Sequence, residues 1–166
     1  METKIEKNSR ALEPLHVLLI GNNPIEMGSV LEKLKQIRAQ RIITEIAFDI
    51  KSILERLIRF HPNFIFIDDN IGRSQLLQTI NTLSSNRKTK DIPITVLKNS
   101  NYHESLGSSS ILDYLLKQNL SPEDLYKTVK NSLKFRRTQL YLYQAYKKRK
   151  GQLLKVIKWD HFRSDP

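Results

Sequence analysis

The feature that most constrains the fold is a regular alternation of short apolar runs with stretches of helical periodicity. The runs, rich in aliphatic and β-branched residues, lie at 15–20, 42–48, 64–67, 92–97 and 111–116. Between them, apolar residues recur at steps of three and four, as in Met27, Val30 and Leu34. Such alternation is typical of a parallel sheet with helices on both faces. The sequence therefore predicts an α/β fold with a doubly wound, five-stranded parallel sheet of strand order 2-1-3-4-5.

Capping residues and helix breakers predict where the helices begin and end. Pro24 suits the first turn of a helix that runs to about Ala39, and Asp49 can cap the next helix. The last helix opens at Ser121-Pro122 and meets no breaker until Gly151, which allows about 29 residues, or about 43 Å. Its second half must extend beyond the body. We expect a flexible leader over residues 1–14, a body over 15–134 and a C-terminal extension over 135–166.

The net positive charge is concentrated in one acid-free stretch near the end of the chain. Residues 126–159 contain eleven Lys or Arg and no Asp or Glu, while the whole chain has a formal net charge of +11. The rest of the chain is therefore neutral overall. Charge segregated in this way indicates an anionic partner rather than a property of the fold. Aromatic residues, including Tyr143, Tyr146 and Trp159, lie among the bases.

Composition excludes several classes of function. The chain has no cysteine, which rules out disulfides, thiol catalysis and cysteine-ligated zinc and fits a cytoplasmic location. Its four histidines have no metal-ligand spacing, and its five glycines assemble no phosphate-binding loop. No apolar run approaches the roughly 20 residues that span a bilayer, and no signal peptide is recognisable. We therefore expect no thiol chemistry and no metal site built from cysteine or histidine.

In the predicted sheet, a functional crevice forms beyond the carboxyl ends of strands one and three. Gly21 and Asn22 follow strand one, and Asp68 ends strand three. Over residues 15–134 the chain resembles the receiver domain of bacterial response regulators, which has a CheY-like, flavodoxin-like fold. The segment 62–68, Pro-Asn-Phe-Ile-Phe-Ile-Asp, resembles the phosphoacceptor strand, and 113–117, Asp-Tyr-Leu-Leu-Lys, resembles the end of the fifth strand.

The resemblance implies specific roles for five residues. Asp68 corresponds to the phosphoacceptor, and Asn70 to the position whose backbone carbonyl binds magnesium. Lys117 corresponds to the lysine that contacts the phosphoryl group, and Tyr114 to the switch aromatic. Lys98 stands where the family has a hydroxyl residue at the end of strand four.

The departures from the family pattern concern the magnesium site. Gly21 and Asn22 occupy the positions of the two metal-binding acids, which leaves Asp68 and, at most, Asp69 as anionic ligands. Mg²⁺ requires carboxylates and water in octahedral geometry, so we expect at most weak binding at Asp68. Lys98 and Lys117 would place two ammonium groups beside Asp68 instead. The sequence therefore predicts a degenerate receiver, or pseudo-receiver, with Asp68 held in an ion pair.

Three functional hypotheses follow. The first is a non-enzymatic signalling adaptor that binds a protein partner. The second is a single-domain response regulator phosphorylated on Asp68 in a two-component phosphorelay. The third is a scaffold that binds nucleic acid without sequence specificity.

The basic extension is predicted to contact the partner. Its candidate contact residues are Lys134, Arg136, Arg137, Tyr143, Tyr146, Lys147, Lys148, Arg149, Lys150 and Trp159. The Lys and Arg side chains are suited to pair with the phosphates of a nucleic acid, and the tyrosines are suited to stack on its nucleobases. No module that reads a nucleotide sequence is recognisable. The helix lacks a clean, wide apolar face beside its bases, which counts against a membrane surface. The resemblance also leaves room for a homodimer through the last two helices.

Overall fold

The computed structural model describes residues 12–99 and 111–163, with side chains over 12–99 and 113–158. Most of the expected leader lies outside these ranges. The strands are β1 (Leu15–Ile20), β2 (Ile42–Ala47), β3 (Phe64–Asp68), β4 (Ile94–Lys98) and β5 (Ile111–Leu116). The helices are α1 (Pro24–Lys35), α2 (Ile50–Arg59), α3 (Arg73–Ser85) and α4 (Pro122–Arg163), with a 3-10 turn at Asp69–Ile71.

The five strands form one sheet in which every neighbouring pair is parallel. Their order is β2-β1-β3-β4-β5, which confirms the predicted topology. The register pairs Ile20 with Ile67, Asp68 with Leu97, and Lys98 with Leu116. The carboxyl ends of β1, β3, β4 and β5 therefore meet at one edge of the sheet, where the site residues lie.

Alternate residues of the strands face two hydrophobic layers. On one face, Leu18 and Ile65 pack with α2 and α3 through residues such as Ile53 and Ile80. On the other face, β1 and β3 pack with α1 and α4 in a second cluster of Leu15, Val17, Leu19, Met27, Val30, Leu34, Phe64, Phe66, Leu97, Leu120, Leu125 and Val129. The near-continuous apolar strands are explained by this burial on both faces.

Helix ends follow the capping chemistry, with one difference in α1. Asp49 caps α2 as predicted, in a reciprocal capping box with Ser52, and this hydrogen bond lowers the pKa of Asp49. The first helix ends at Lys35 rather than near Ala39. The chain turns there so that the side chain of Gln40 can donate to the backbone carbonyl of Glu13, beside the start of β1.

Helix α4 is 42 residues long, which corresponds to about 63 Å. It packs on the body through Leu125, Val129 and Ser132 and then leaves it, as the sequence predicts. The prediction that Gly151 ends the helix is wrong, because α4 continues to Arg163. A single interior glycine costs a helix only about 1 kcal/mol, so it need not terminate one.

Gly21 marks a close approach between β1, α1 and β3. A Cβ atom placed on Gly21 would lie 2.3 Å from Met27 Sδ and 3.1 Å from Asp68 Cβ. Met27 is itself buried in the core. The position that carries a metal-binding acid in the resembling family therefore has no room here for any side chain unless Met27 moves.

We predict that Gly21→Ala lowers the free energy of unfolding by about 1–3 kcal/mol, because it overpacks a filled site. Gly28 in α1 is the matched control, since a Cβ atom there meets nothing within 4 Å. Gly28→Ala should raise stability by about 0.5–1 kcal/mol through helix propensity. Chemical denaturation of the two variants measures both effects, and equal stability of Gly21→Ala and the wild type would contradict the packing account.

Candidate functional site

The site is centred on Asp68, the last residue of β3. Its side chain is only 1% exposed. Oδ1 accepts a hydrogen bond of 2.9 Å from the backbone N–H of Asn70, which fixes the carboxylate at the start of the 3-10 turn. The ammonium Nζ of Lys117 donates to both carboxylate oxygens of Asp68, over 2.8 and 3.0 Å. Asp68 and Lys117 are therefore brought together as the sequence predicts.

Lys117 also binds a second carboxylate. It follows β5, where its backbone N–H donates to the carbonyl of Lys98 over 2.9 Å. From there its side chain, 12% exposed, reaches across the edge of the sheet, and Nζ contacts Glu26 Oε2 as well as Asp68. One ammonium thus bridges carboxylates from β3 and α1.

Glu26 was not among the predicted site residues. The sequence pattern indicated only Asp68 and Asp69 as anionic side chains in the pocket. Glu26 lies in the first turn of α1, and its Oε2 also accepts a hydrogen bond from Asn70 Nδ2. The signal available in the sequence was the short connection between β1 and α1. Because Pro24 starts α1 only four residues after Ile20, an acid in the first helical turn lies at the carboxyl edge of the sheet.

The charges of this bridge support one another at neutral pH. Burial acts to lower the pKa of Lys117, but the hydrogen bonds to Asp68 and Glu26 outweigh it, so this pKa stands above the ordinary 10.5. Burial raises the pKa of Asp68 above 3.8, against the hydrogen bonds from Lys117 and Asn70. The raised pKa of Asp68 reflects the cost of a buried carboxylate, and the bridging ammonium compensates part of it.

Asn22 and Asn70 lie in the same pocket, as their counterparts do in the resembling family. The side-chain amide Nδ2 of Asn22 is 3.5 Å from the backbone carbonyl oxygen of Asn70 and donates to it. The Asn70 side chain also accepts a hydrogen bond from Asn99 Nδ2. Asp69, expected as a further ligand at most, accepts a hydrogen bond of 3.3 Å from the backbone N–H of Asn99.

Lys98 and Tyr114 contact each other beside the pocket. The Lys98 ammonium lies 5.1 Å from the centroid of the Tyr114 ring, in cation–π geometry. Tyr114 is half-buried and packs against the core beside α2 and α3. The carboxylate of Asp68 accepts hydrogen bonds from the ammonium of Lys117 and from the backbone N–H of Asn70.

The donor set does not fit a magnesium ion. Lys117 Nζ occupies the space between Asp68 and Glu26, and the Asn70 carbonyl already accepts from the Asn22 amide. Among the described side chains of residues 12–99 and 113–158, no three His, Asp or Glu form a group that could hold a metal. The positive charge in this pocket is supplied by the protein itself.

The predicted contact residues of the extension are mostly on the surface of α4. All are exposed except Arg136, which is half-buried, and Trp159, whose side chain lies outside the described residues. Burial lowers the pKa of Arg136, against the charge of Asp91. Lys147 lies 4.8 Å above the ring of Tyr143, one turn earlier. None of the helices that the structure describes is long and apolar enough to cross a membrane.

We predict that Lys117→Met lowers the free energy of unfolding by about 3 kcal/mol, because it leaves two carboxylates without their buried cation. Lys35→Met is the matched control, since Lys35 pairs with Glu32 on the exposed surface, and its effect should stay within about 0.5 kcal/mol. Urea denaturation measures both. A Lys117→Met variant as stable as the Lys35→Met variant would contradict the bridge.

The bridge also predicts a dependence on alkaline pH. Because the folded-state pKa of Lys117 is raised above 10.5, its contribution is fully present below that pH and is lost as the pH rises through the folded pKa. The stability difference between wild type and Lys117→Met should therefore shrink above pH 10.5, and a constant difference would contradict the assignment.

Neither a protein-family model nor a curated relative matches the chain. Solved structures do. The magnesium-bound receiver domain of the sensor histidine kinase PA1611 from Pseudomonas aeruginosa is 14% identical, with a TM-score of 0.59 over 73% of this chain and 98% of that one. The chemotaxis response regulator CheY4 of Vibrio cholerae is 18% identical, with a TM-score of 0.55 over 72% and 99%.

A third similar structure extends over more of the chain. It is a fusion that carries a trimeric coiled coil of yeast Spc42, and it is 15% identical, with a TM-score of 0.61 over 90% of this chain and 98% of that one. At these identities the likeness concerns the fold. Residues of the body, with strand order 2-1-3-4-5 and helices on both faces, have the CheY-like fold of response-regulator receiver domains.

Proposed function

We propose that this protein is a non-enzymatic signalling adaptor. Its receiver-like body is a fixed docking platform, and its basic C-terminal helix binds an anionic partner. The observation that carries the proposal is the ammonium of Lys117, which bridges Asp68 and Glu26 in the pocket where a receiver would hold magnesium.

The bridge opposes phosphorylation of Asp68 in two ways. A carboxylate that attacks a phosphoryl group needs an oxygen free to do so, and both oxygens of Asp68 accept hydrogen bonds from Lys117. The transferred group also needs its equatorial charge neutralised, which a metal ion does in phosphoryl transfer. Here the ammonium of Lys117 is already paired with two carboxylates, so little of its positive charge remains for an incoming phosphoryl group.

The neighbouring residues support the same conclusion. With Met27 in its observed position, Gly21 has no room for an acidic side chain. The side-chain amide of Asn22 donates a hydrogen bond to the backbone carbonyl oxygen of Asn70, whereas a cation at that place would need oxygen ligands. The pocket is thus built around a lysine, and we infer that it maintains one conformation rather than switching between two.

Partner binding is assigned to α4 because of its charge and exposure. The helix leaves the body after its first few turns, and the bases at 147–150 are all exposed. No acid occurs between residues 126 and 159, so these bases have no intrahelical partner in that stretch. A rigid helix that presents unneutralised charge away from a folded body is suited to contact an anionic surface.

The experiment that tests the fixed pocket is incubation of the full chain with Mg²⁺ and acetyl phosphate or phosphoramidate, followed by intact-mass spectrometry. We expect no phosphoryl adduct, and a spectrum identical to that of Asp68→Asn. A receiver domain of known phosphorylation, treated in parallel, is the positive control for the phosphodonor. An adduct present in the wild type and absent in Asp68→Asn would replace this proposal with that of an active response regulator.

A further inference from the structure

The exposed part of α4 carries a regular apolar stripe. Phe135, Leu142, Tyr146, Leu153 and Val156 are 54–62% exposed. With Gln139 and Arg149 they form a line spaced alternately four and three residues apart, here called the seam. This is the spacing of the core positions of a coiled coil, whose side chains insert between those of a partner helix.

The seam continues an interface that the fold already uses. Extended toward the start of α4 with the same three- and four-residue spacing, it passes through Ser132, Thr128 and Leu125. These three residues are 5%, 8% and 0% exposed, because they pack on the body. The line of α4 that faces the sheet therefore continues past the end of the body with nothing packed on it among the described residues.

A second copy of this chain is a poor occupant of the seam. Arg149 lies in the middle of it, and a coiled coil would bury the guanidinium group there. An unpaired charge in such a position is costly. The stretch from Tyr126 to Trp159 contains no carboxylate, so another copy of α4 offers Arg149 no counter-charge from that stretch in either orientation.

A bilayer or a nucleic acid would contact only part of the exposed surface of α4. A membrane laid along the seam would meet the body, because the same line of α4 runs into the body interface at Ser132. The phosphates of a nucleic acid would contact the Lys and Arg side chains of α4 but not Leu142, Leu153 or Val156. A protein helix that lies beside α4, beyond the end of the body, can cover the aliphatic side chains and neutralise the bases together.

We propose that the seam binds an amphipathic helix of a different, acidic protein in a coiled coil, with a carboxylate of the partner opposite Arg149. This inference deepens the partner-binding role proposed for α4 and does not depend on the state of the Asp68 pocket. An acid flanking the partner's apolar stripe would pair with Lys150, which lies beside the seam next to Arg149. Arg149 then selects the partner, because a polar core position favours a helix that can satisfy it.

The probe is a synthetic peptide of about four heptads with Leu in its core positions, Glu at its flanks and one Glu in its core. Binding to the full chain is measured by isothermal titration calorimetry. We expect Leu142→Ser/Leu153→Ser to weaken binding by about tenfold or more, because two apolar contacts are lost. Tyr141→Ser, exposed off the seam, is the matched control and should leave affinity unchanged. Thermal melting checks that the variants remain folded.

Arg149→Leu tests the selectivity directly. The wild type should prefer the peptide with a core Glu over one with Leu throughout its core by about tenfold, and Arg149→Leu should reverse that preference. Equal binding of a scrambled peptide of the same charge would overturn the proposal, as would failure to bind the heptad peptide or a self-associated wild type in analytical ultracentrifugation.

Two further arms separate this inference from the broader adaptor role. Vesicles containing phosphatidylserine and a duplex RNA are titrated with the wild type and with Leu142→Ser/Leu153→Ser. Binding of either that survives the double substitution, without binding of the heptad peptide, would overturn the coiled-coil partner but leave an anion-binding α4 in place. Absence of binding to peptide, vesicle and RNA alike would overturn both.

Discussion

The bridge from Lys117 to Asp68 and Glu26 is the contact on which the arrangement of the site at the carboxyl ends of the strands depends. It joins the last residue of β3, the residue after β5 and the first turn of α1. Without the ammonium group, a carboxylate that is 1% exposed would carry an uncompensated charge. Such pairs add little net stability when complete, but they cost a great deal when broken, so they fix one arrangement of the groups around them.

The surrounding residues are consistent with that single arrangement. Met27 fills the space over Gly21, Asn22 donates to the carbonyl of Asn70, and Asn70 itself holds both carboxylates of the bridge through its backbone and side-chain N–H groups. A receiver that switches must be able to exchange a metal and a phosphoryl group at this position. In this chain the corresponding space is occupied by side chains that satisfy one another.

Much of the fold could be predicted from the sequence because burial on both faces leaves a plain signal in the strands. The runs 15–20 and 111–116 are strands with those bounds. The resemblance to receiver domains, together with the parallel topology, predicts that Asp68 lies near Lys117. Glu26 could not be assigned in this way, since its role depends on the angle at which α1 leaves β1. Gly21 gave no hint of the Met27 contact, because only coordinates show what a missing Cβ would meet.

The C-terminal extension also has features that could not be predicted from the sequence. The sequence predicts that the second half of the last helix extends beyond the body, but the coordinates are needed to show that exposed Leu142 and Leu153 continue the line that packs on the body through Leu125. Gly151 suggested a helix end, yet α4 passes through it to Arg163. The body and the extension thus differ in kind: Lys117, Asp68 and Glu26 pair with one another in the pocket, whereas the helix presents charge and apolar surface that its own chain does not cover within the described residues.

The central claim, that Lys117 takes the place of a metal ion, is tested most directly by titrating the ¹⁵N-labelled protein with Mg²⁺ and following its amide NMR spectrum. The account predicts no saturable shift of the Asn70 and Lys117 amides at millimolar Mg²⁺, in the wild type as in Asp68→Asn. A saturable shift of those two amides, lost in Asp68→Asn, would show that the ion displaces the ammonium group and would contradict the account.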